Sequence, residues 1–313
     1  MTSVLIEGAG LAGQVLHREL YLKGISSRLV DKTAFPRDKV CGGALQWDSW
    51  RYLNSIFDIQ EKVRVLHVIN HFWRGKKISR IGLKTPMIYI SRYALDNALN
   101  HQQQSIETEP DGQIRVIAGG VPNQEGDWIG FQGPTEPIGE LEMHYGRGVY
   151  LGISPTLEDQ SHVAFVIKRS LFKNVEQLRG YIKKELGLNI RGPLKGTKGI
   201  HYHRASSREL AVGDAKLTTH PFLGLGMKHA ILSARLMAHL VASGGLKDYS
   251  KIHGRLFRKY RWISFAVGKI YDSPLYFILK PVLENQVFFL NTYRWLHHPD
   301  KDLCALDSRK IRS

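Results

Sequence analysis

Three glycines, Gly8, Gly10 and Gly13, stand in a G-x-G-x-x-G run, and an acidic residue, Asp31, closes the next apolar stretch. That spacing specifies a chemistry. Gly8 permits a tight turn, Gly10 lets the backbone approach a pyrophosphate, Gly13 lets a helix pack closely on a strand, and Asp31 accepts from a ribose hydroxyl. The run predicts a dinucleotide site formed by Gly8, Gly10, Leu11, Ala12, Gly13, Asp31 and Lys32. Taken alone it does not choose between NAD and FAD. Glu7 fits poorly, since a carboxylate beside a pyrophosphate repels it unless turned away or paired.

The flanking sequence supplies the elements that such a site needs. Val4, Leu5 and Ile6 read as a short strand buried on both faces of a parallel sheet. Leu11, Val15, Leu16, Leu20 and Leu22 recur at helical spacing up to Gly24, and Ser27–Val30 resume a strand, completing a βαβ unit. Further on, AFPRDKVCGGALQWDSW (34–50) is a loop that Pro36 and the Gly42-Gly43 pair allow to pass close to a ligand. Cys41 within it reads as a small packing residue; of its sequence neighbours, only Arg37 and Lys39 would lower its pKa.

Two later stretches carry related chemistry. YISRYALDNALNH (89–101) joins a strand end to an amphipathic helix, with Arg92 and Asp96 one turn apart, the spacing of a surface ion pair. ELAVGDAKLTTHPFLGLGMKHAILSARLMAHLV (209–241) reads as a buried strand at Leu210–Val212, a turn at Gly213-Asp214 and a long apolar helix from about Gly226. Asp214 is placed to accept from a hydroxyl, and backbone amides around Leu223–Met227 sit at a helix N-terminus, where negative charge is favoured. His220 is a candidate proton donor or a hydrogen-bonded structural histidine. His201 and His203 share a strand face, but no carboxylate or thiol completes a metal set.

FPRDKVCGG after a glycine-rich βαβ start, Arg92 with Asp96, and then GDA, a spacer, Pro221 and glycines leading into an alanine-rich helix together resemble the geranylgeranyl reductase branch of the FAD enzymes that share the para-hydroxybenzoate hydroxylase fold. The resemblance follows motif order over about the first 245 residues. It implies a Rossmann-like FAD-binding α/β domain of glutathione-reductase type with an inserted antiparallel sheet roofing a substrate cavity. The FAD site would comprise Gly8, Gly10, Leu11, Ala12, Gly13, Asp31, Lys32, Cys41, Gly42, Gly43, Arg92, Asp214, Pro221, Gly224, Leu225, Gly226 and Met227, with Cys41 and His220 as catalytic candidates. It places the FAD domain at 1–120 and 200–245, the substrate domain at 121–199, and a helical basic and aromatic segment at 246–313. The implied activity is reduction of a hydrophobic or aromatic metabolite, with NAD(P)H as an electron donor; the alternatives are an aromatic monooxygenase and a non-catalytic flavin- or isoprenoid-binding protein at a membrane surface. Ile117-Ala118-Gly119-Gly120, short and without an acid, departs from the family's usual turn and implies a compact version of the fold.

Composition bounds the rest. Two distant cysteines, Cys41 and Cys304, give no disulfide framework and fit a reducing, cytoplasmic setting, and the first residues show no secretion signal. A charge of +16 raises the question of polyanions, yet the basic residues are spread along the chain without a nucleic-acid motif, so no nucleic-acid partner is expected. No apolar run is long enough to span a bilayer. Residues 247–295 interleave Arg and Lys with Trp, Tyr and Phe, which suits either peripheral contact with a membrane or helices packed on the main domain with their basic residues outside.

Overall fold

The structure is a computed structural model that describes residues 3–101, 113–120, 126–197, 199–200 and 210–296. His201, Tyr202, His203 and Cys304 lie outside the described residues. In chain order the elements are β1 (Ser3–Glu7), α1 (Leu11–Leu22), β2 (Ser26–Val30), β3 (Ala44–Gln46), α2 (Trp47–Ile56), β4 (Arg64–Trp73), β5 (Lys76–Tyr89), α3 (Arg92–His101) and β6 (Gln113–Ile117). They continue with β7 (Trp128–Thr135), β8 (Leu141–Gly146), β9 (Val149–Pro155), β10 (Ser161–Lys168), α4 (Val175–Leu186), β11 (Lys195–Gly196), α5 (Gly226–Ala242), α6 (Tyr249–Leu256), α7 (Arg258–Asp272), α8 (Lys280–Glu284) and α9 (Gln286–Leu296).

Two sheets organise the chain. The smaller is parallel, in the order β2-β1-β6, with Ile6 opposite Leu29 on one side and Val116 on the other. A parallel bridge from Ile117 to Ala211 brings the segment before Gly213 alongside β6. Val4 and Ile6 are buried, as a two-sided parallel strand requires, and α1 and α5 pack together on this sheet through Leu16, Leu20, Leu236 and Leu240. Glycine 213, at φ +60, turns the chain out of the sheet so tightly that a Cβ there would lie 2.8 Å from the Ala12 methyl.

The larger sheet has eight strands in the order β11-β7-β10-β9-β8-β4-β5-β3, antiparallel throughout except where β4 lies parallel to β8. Its side chains alternate as the pleat demands. Val163, Phe165 and Ile167 face α4, while Val166 joins Trp73, Trp128 and Tyr145 against Tyr271, Tyr276, Leu279 and Leu283 of the C-terminal helices. The helix α4 is capped by the Asn174 side chain and stopped by Gly187 in a left-handed conformation.

The boundary drawn from sequence at residue 121 does not coincide with the sheets. Strands β3, β4 and β5, between residues 44 and 89, already belong to the large sheet, so the chain enters it early, leaves for α3 and β6, and returns at β7. The long β4–β5 hairpin is closed by Arg74 and Gly75, both at positive φ, the geometry of a tight hairpin turn. The C-terminal helices likewise have a structural task, covering the second face of the sheet.

Candidate dinucleotide and substrate site

The glycine run folds as its spacing requires. A Cβ on Gly13 would lie 1.8 Å from the Gly8 carbonyl oxygen, and one on Gly8 would lie 2.4 Å from the Gly119 nitrogen. Strand, helix and the Ala118-Gly119 turn therefore meet backbone to backbone. Gly10 differs: a Cβ there would meet only an Arg37 guanidinium nitrogen at 3.5 Å, so the space in front of it is open. Gly10 is the N-cap of α1 and no side chain caps the first-turn amides, which leaves the helix N-terminus available to an anion. Leu11 and Ala12 are buried in the first turn and Lys32 is exposed.

Asp31 sits at the end of β2 facing this turn. Its Oδ2 accepts from the Ala9 N–H at 2.6 Å and from Arg37 at 2.9 Å, and its Oδ1 accepts from the Thr33 N–H. Burial alone would raise its pKa, but the Thr33 and Ala9 amides and the Arg37 guanidinium outweigh that and hold the carboxyl below its ordinary value. A carboxylate oxygen has lone pairs for more than one donor, so Asp31 retains capacity to accept from a further hydroxyl. Glu7 is turned away from the glycines: Arg115 on β6 holds both its oxygens, at 2.5 and 2.9 Å.

The loop after β2 lies between the two sheets, and its contacts alternate. Arg37 pairs with Asp31 and reaches to 4.0 Å from Asp96; Asp38 accepts from Gln132 and from Lys195; Lys39 pairs with Asp214 at 3.3 Å. Odd-numbered side chains thus serve the glycine-run side and Asp38 the large sheet. Cys41 is tied to the large sheet through its backbone, its N–H donating to Gln132 Oε1 and its carbonyl accepting from His162 Nε2–H. Gly43, at φ +69, leaves the loop seated on the Tyr89 ring, and Gly42 remains open.

The cation beside the Cys41 thiol is Arg92, whereas Arg37 and Lys39, its near neighbours in sequence, are engaged elsewhere. Arg92 is buried and donates twice to Asp96, at 2.9 and 2.8 Å. Burial would lower the pKa of its guanidinium, but Asp96 and Cys41 together raise it. The pair is therefore interior rather than the surface ion pair that helical spacing allows. Sequence reading gave no signal for Gln132 and His162, because both lie on strands far from the loop they hold.

The second constellation also assembles against the loop. Asp214, one-third exposed, points to Lys39. The Pro221–Leu223 turn ends at Gly224, φ +61, whose carbonyl accepts from Gln46 Nε2 at 3.0 Å. Helix α5 then starts at Gly226, with Leu225 buried, Met227 half-buried and no side chain capping the first turn. His220, the candidate proton donor or structural histidine, stands at the head of the Pro221 turn. It is buried with its ring near Trp128, Phe222 and Tyr271, and its Nδ1 accepts from the Phe222 N–H, so it caps the Pro221 turn.

Across the loop from the glycines is a cavity of about 630 Å³ lined by Asp38, Tyr89, Gln132, Glu158, His162 and Lys195 among others. Its walls mix polar and apolar surface in about equal measure. Burial holds the His162 imidazole below its ordinary pKa, against the pull of the Cys41 carbonyl and Asp38, and burial likewise raises the Tyr89 phenol. Among the described residues no cluster of ligating side chains could hold a metal ion.

No family profile matches the chain. A protein of Methanosarcina barkeri, Mbar_A1602, described as uncharacterized, is 24% identical over a 333-residue alignment that covers 88% of this chain and 86% of that one. Among solved structures, PqsL of Pseudomonas aeruginosa, a probable FAD-dependent monooxygenase, superposes with a TM-score of 0.65 at 16% identity, covering 94% of this chain and all of PqsL. HpxO of Klebsiella pneumoniae, crystallised with FAD and uric acid, gives 0.66 at 15% identity, covering 98% and 95%. The fold is that of the flavoprotein monooxygenases. The likeness extends through both sheets and into the C-terminal helices.

Proposed function

We propose that the chain is an FAD-dependent oxidoreductase acting on a small aromatic substrate, with monooxygenation as its reaction. The observation that carries this reading is the convergence of two uncapped helix N-termini, at Gly10 and Gly226, on one loop whose Asp38 lines a cavity. The residues present fit FAD. Gly10 has open space where a pyrophosphate would lie, Asp31 would hold the adenosine ribose, Asp214 would accept from a ribityl hydroxyl, and Arg92 and the open Gly42 flank the path between them.

When bound, FAD supplies a two-electron centre able to reduce a substrate or activate oxygen. The chain's own part is to place and insulate that centre. The α5 N-terminus favours negative charge at the end of the cofactor next to Gly224–Met227. Cys41, with Arg92 against its thiol, is the side chain from the loop that would stand between cofactor and substrate, and His162, neutral through burial, fixes the Cys41 carbonyl. PqsL has been crystallised with 2-aminobenzoylacetate and HpxO with uric acid, and a cavity walled by Tyr89, Leu157 and Leu194 together with Gln132, Glu158, His162 and Lys195 suits a small substrate that carries both a ring and polar groups.

The geranylgeranyl reductase reading keeps one specific support, the FPRDKVCGG loop with Cys41. Turnover with NADPH or NADH as donor under labelled dioxygen separates the two: label in the product supports monooxygenation, and label-free reduction of a double bond under anaerobic conditions supports the reductase. The wider proposal is tested by the absorbance of the purified protein. Yellow protein, or colourless protein that regains a flavin spectrum with FAD, is expected, and a chain that cannot be reconstituted would refute it. Cys41→Ser should keep the flavin and alter only turnover.

A further inference from the structure

Helices α7–α9 seal the large sheet with one side and present a different surface with the other. Among the described residues, eight of the thirteen exposed large hydrophobic side chains lie between 262 and 295, including Trp262, Phe265, Phe277, Phe288 and Trp295. On α7, Arg258, Trp262, Phe265 and Lys269 follow helical spacing along one exposed face; Trp262 meets Phe265 edge to face at 6.4 Å, and Lys269 Nζ lies 5.7 Å from the Phe265 ring centre. On α9, Phe288, Arg294 and Trp295 are exposed, and Lys259 Nζ lies 3.5 Å from the Trp295 carbonyl, bringing the end of α9 to the start of α7.

The charge on this segment is one-sided. Residues 258–296 contain six Lys or Arg and two acids, and both acids are engaged: Asp272 by Lys168 and Trp128, Glu284 by Lys280. Among the described residues none of Arg258, Arg261, Lys269 and Arg294 has a carboxylate partner. A protein interface of this size would be depleted of lysine at its centre, and a nucleic-acid surface has no use for Ile278 and Val287 beside the cations. Tryptophan and phenylalanine flanked by Arg and Lys are instead the side chains that sit at a lipid headgroup boundary. Among the described residues no helix is long and apolar enough to cross a membrane.

We propose that the outer face of α7–α9 docks the protein onto the surface of an anionic membrane, the aromatic rings at headgroup depth and Arg258, Arg261, Lys269 and Arg294 on the lipid phosphates. This stands apart from the flavin reading, since it rests on helices that cover the sheet from the other side.

The test is co-sedimentation of the full chain with vesicles of phosphatidylcholine alone or mixed with phosphatidylglycerol. Binding to the mixed vesicles, release by salt, and a blue shift of tryptophan emission that disappears in Trp262→Phe/Trp295→Phe are expected. Arg258→Gln/Arg261→Gln/Lys269→Gln should weaken partitioning by on the order of a hundredfold, and Trp262→Ser/Phe265→Ser by at least about tenfold, with unchanged thermal unfolding. The proposal is overturned if the wild type ignores anionic vesicles, if binding is insensitive to salt and lipid charge, or if both sets of substitutions leave it intact. A concentration-dependent dimer broken by Trp262→Ser/Phe265→Ser, without vesicle binding, would assign the face to a second copy instead.

Discussion

In the three-stranded sheet the shape is set by backbone touching backbone, at Gly8 against Gly119 and Gly13 against Gly8, whereas in the eight-stranded sheet it is set by side chains that alternate between α4 and the C-terminal helices. The first arrangement tolerates no added atom. The second spreads its stability over many contacts, each of which gives a little. A methyl group added to one region should therefore cost more than several carbon atoms removed from the other.

Gly13→Ala is the severest way to put that contrast at risk. With its Cβ 1.8 Å from the Gly8 oxygen, the variant should lose more than about 3 kcal/mol and express as insoluble protein, while Phe165→Leu in the large sheet should cost only roughly 1–2 kcal/mol in urea denaturation. The reverse order would break the comparison. Arg92→Leu comes next: it leaves the fully buried Asp96 with Arg37 at 4.0 Å as its remaining cation and should cost about 3–5 kcal/mol, part of which Asp96→Asn in the same chain recovers.

Acid sensitivity tests the large sheet from within. Burial lowers the pKa of His71, stacked on Tyr145, to about 4, and that of His229, on α5, to about 4. A histidine whose folded pKa is depressed stabilises the native state fully above its unfolded value and loses that contribution as pH falls toward the folded one. Stability should therefore decline from about pH 6.5 to pH 4, and His71→Phe should remove up to roughly 3 kcal/mol of that decline. Equal slopes in the two proteins would show that the sheet opens before His71 titrates.

The smallest change in stability should accompany the most specific loss. Gly10→Ala meets only a flexible guanidinium, at an extended backbone conformation open to alanine, so unfolding should shift by no more than about 0.5 kcal/mol. Flavin retention should nevertheless fall, because the open space in front of Gly10 is the proposed place of the pyrophosphate. Unchanged retention would mean that the cradle holds something else.

The contrast also explains what the amino-acid order disclosed. The β1–α1–β2 unit, α3 and α5 were legible because their signals are local: glycine spacing, helical periodicity and a stop at Gly24. The early entry of β3–β5 was not, since β4 finds its parallel neighbour only at residues 141–145 and nothing in either stretch names the other. The partner of Glu7 was hidden for the same reason, Arg115 being adjacent only after β6 pairs with β1. Cys41 was read beside Arg37 and Lys39, its neighbours along the chain, when the cation at its thiol comes from α3.

The alternation along the loop from Arg37 to Lys39 limits how this chain can change in descent. Substitutions there alter one compartment at a time, the glycine-run side through Arg37 or Lys39 and the cavity through Asp38. Loss or gain of a single residue would instead exchange them, turning a cation toward Gln132 and Lys195 and an acid toward Asp31 and Asp214. The length of this loop should be held more strictly than its composition, and its descendants should differ by replacement rather than by insertion or deletion.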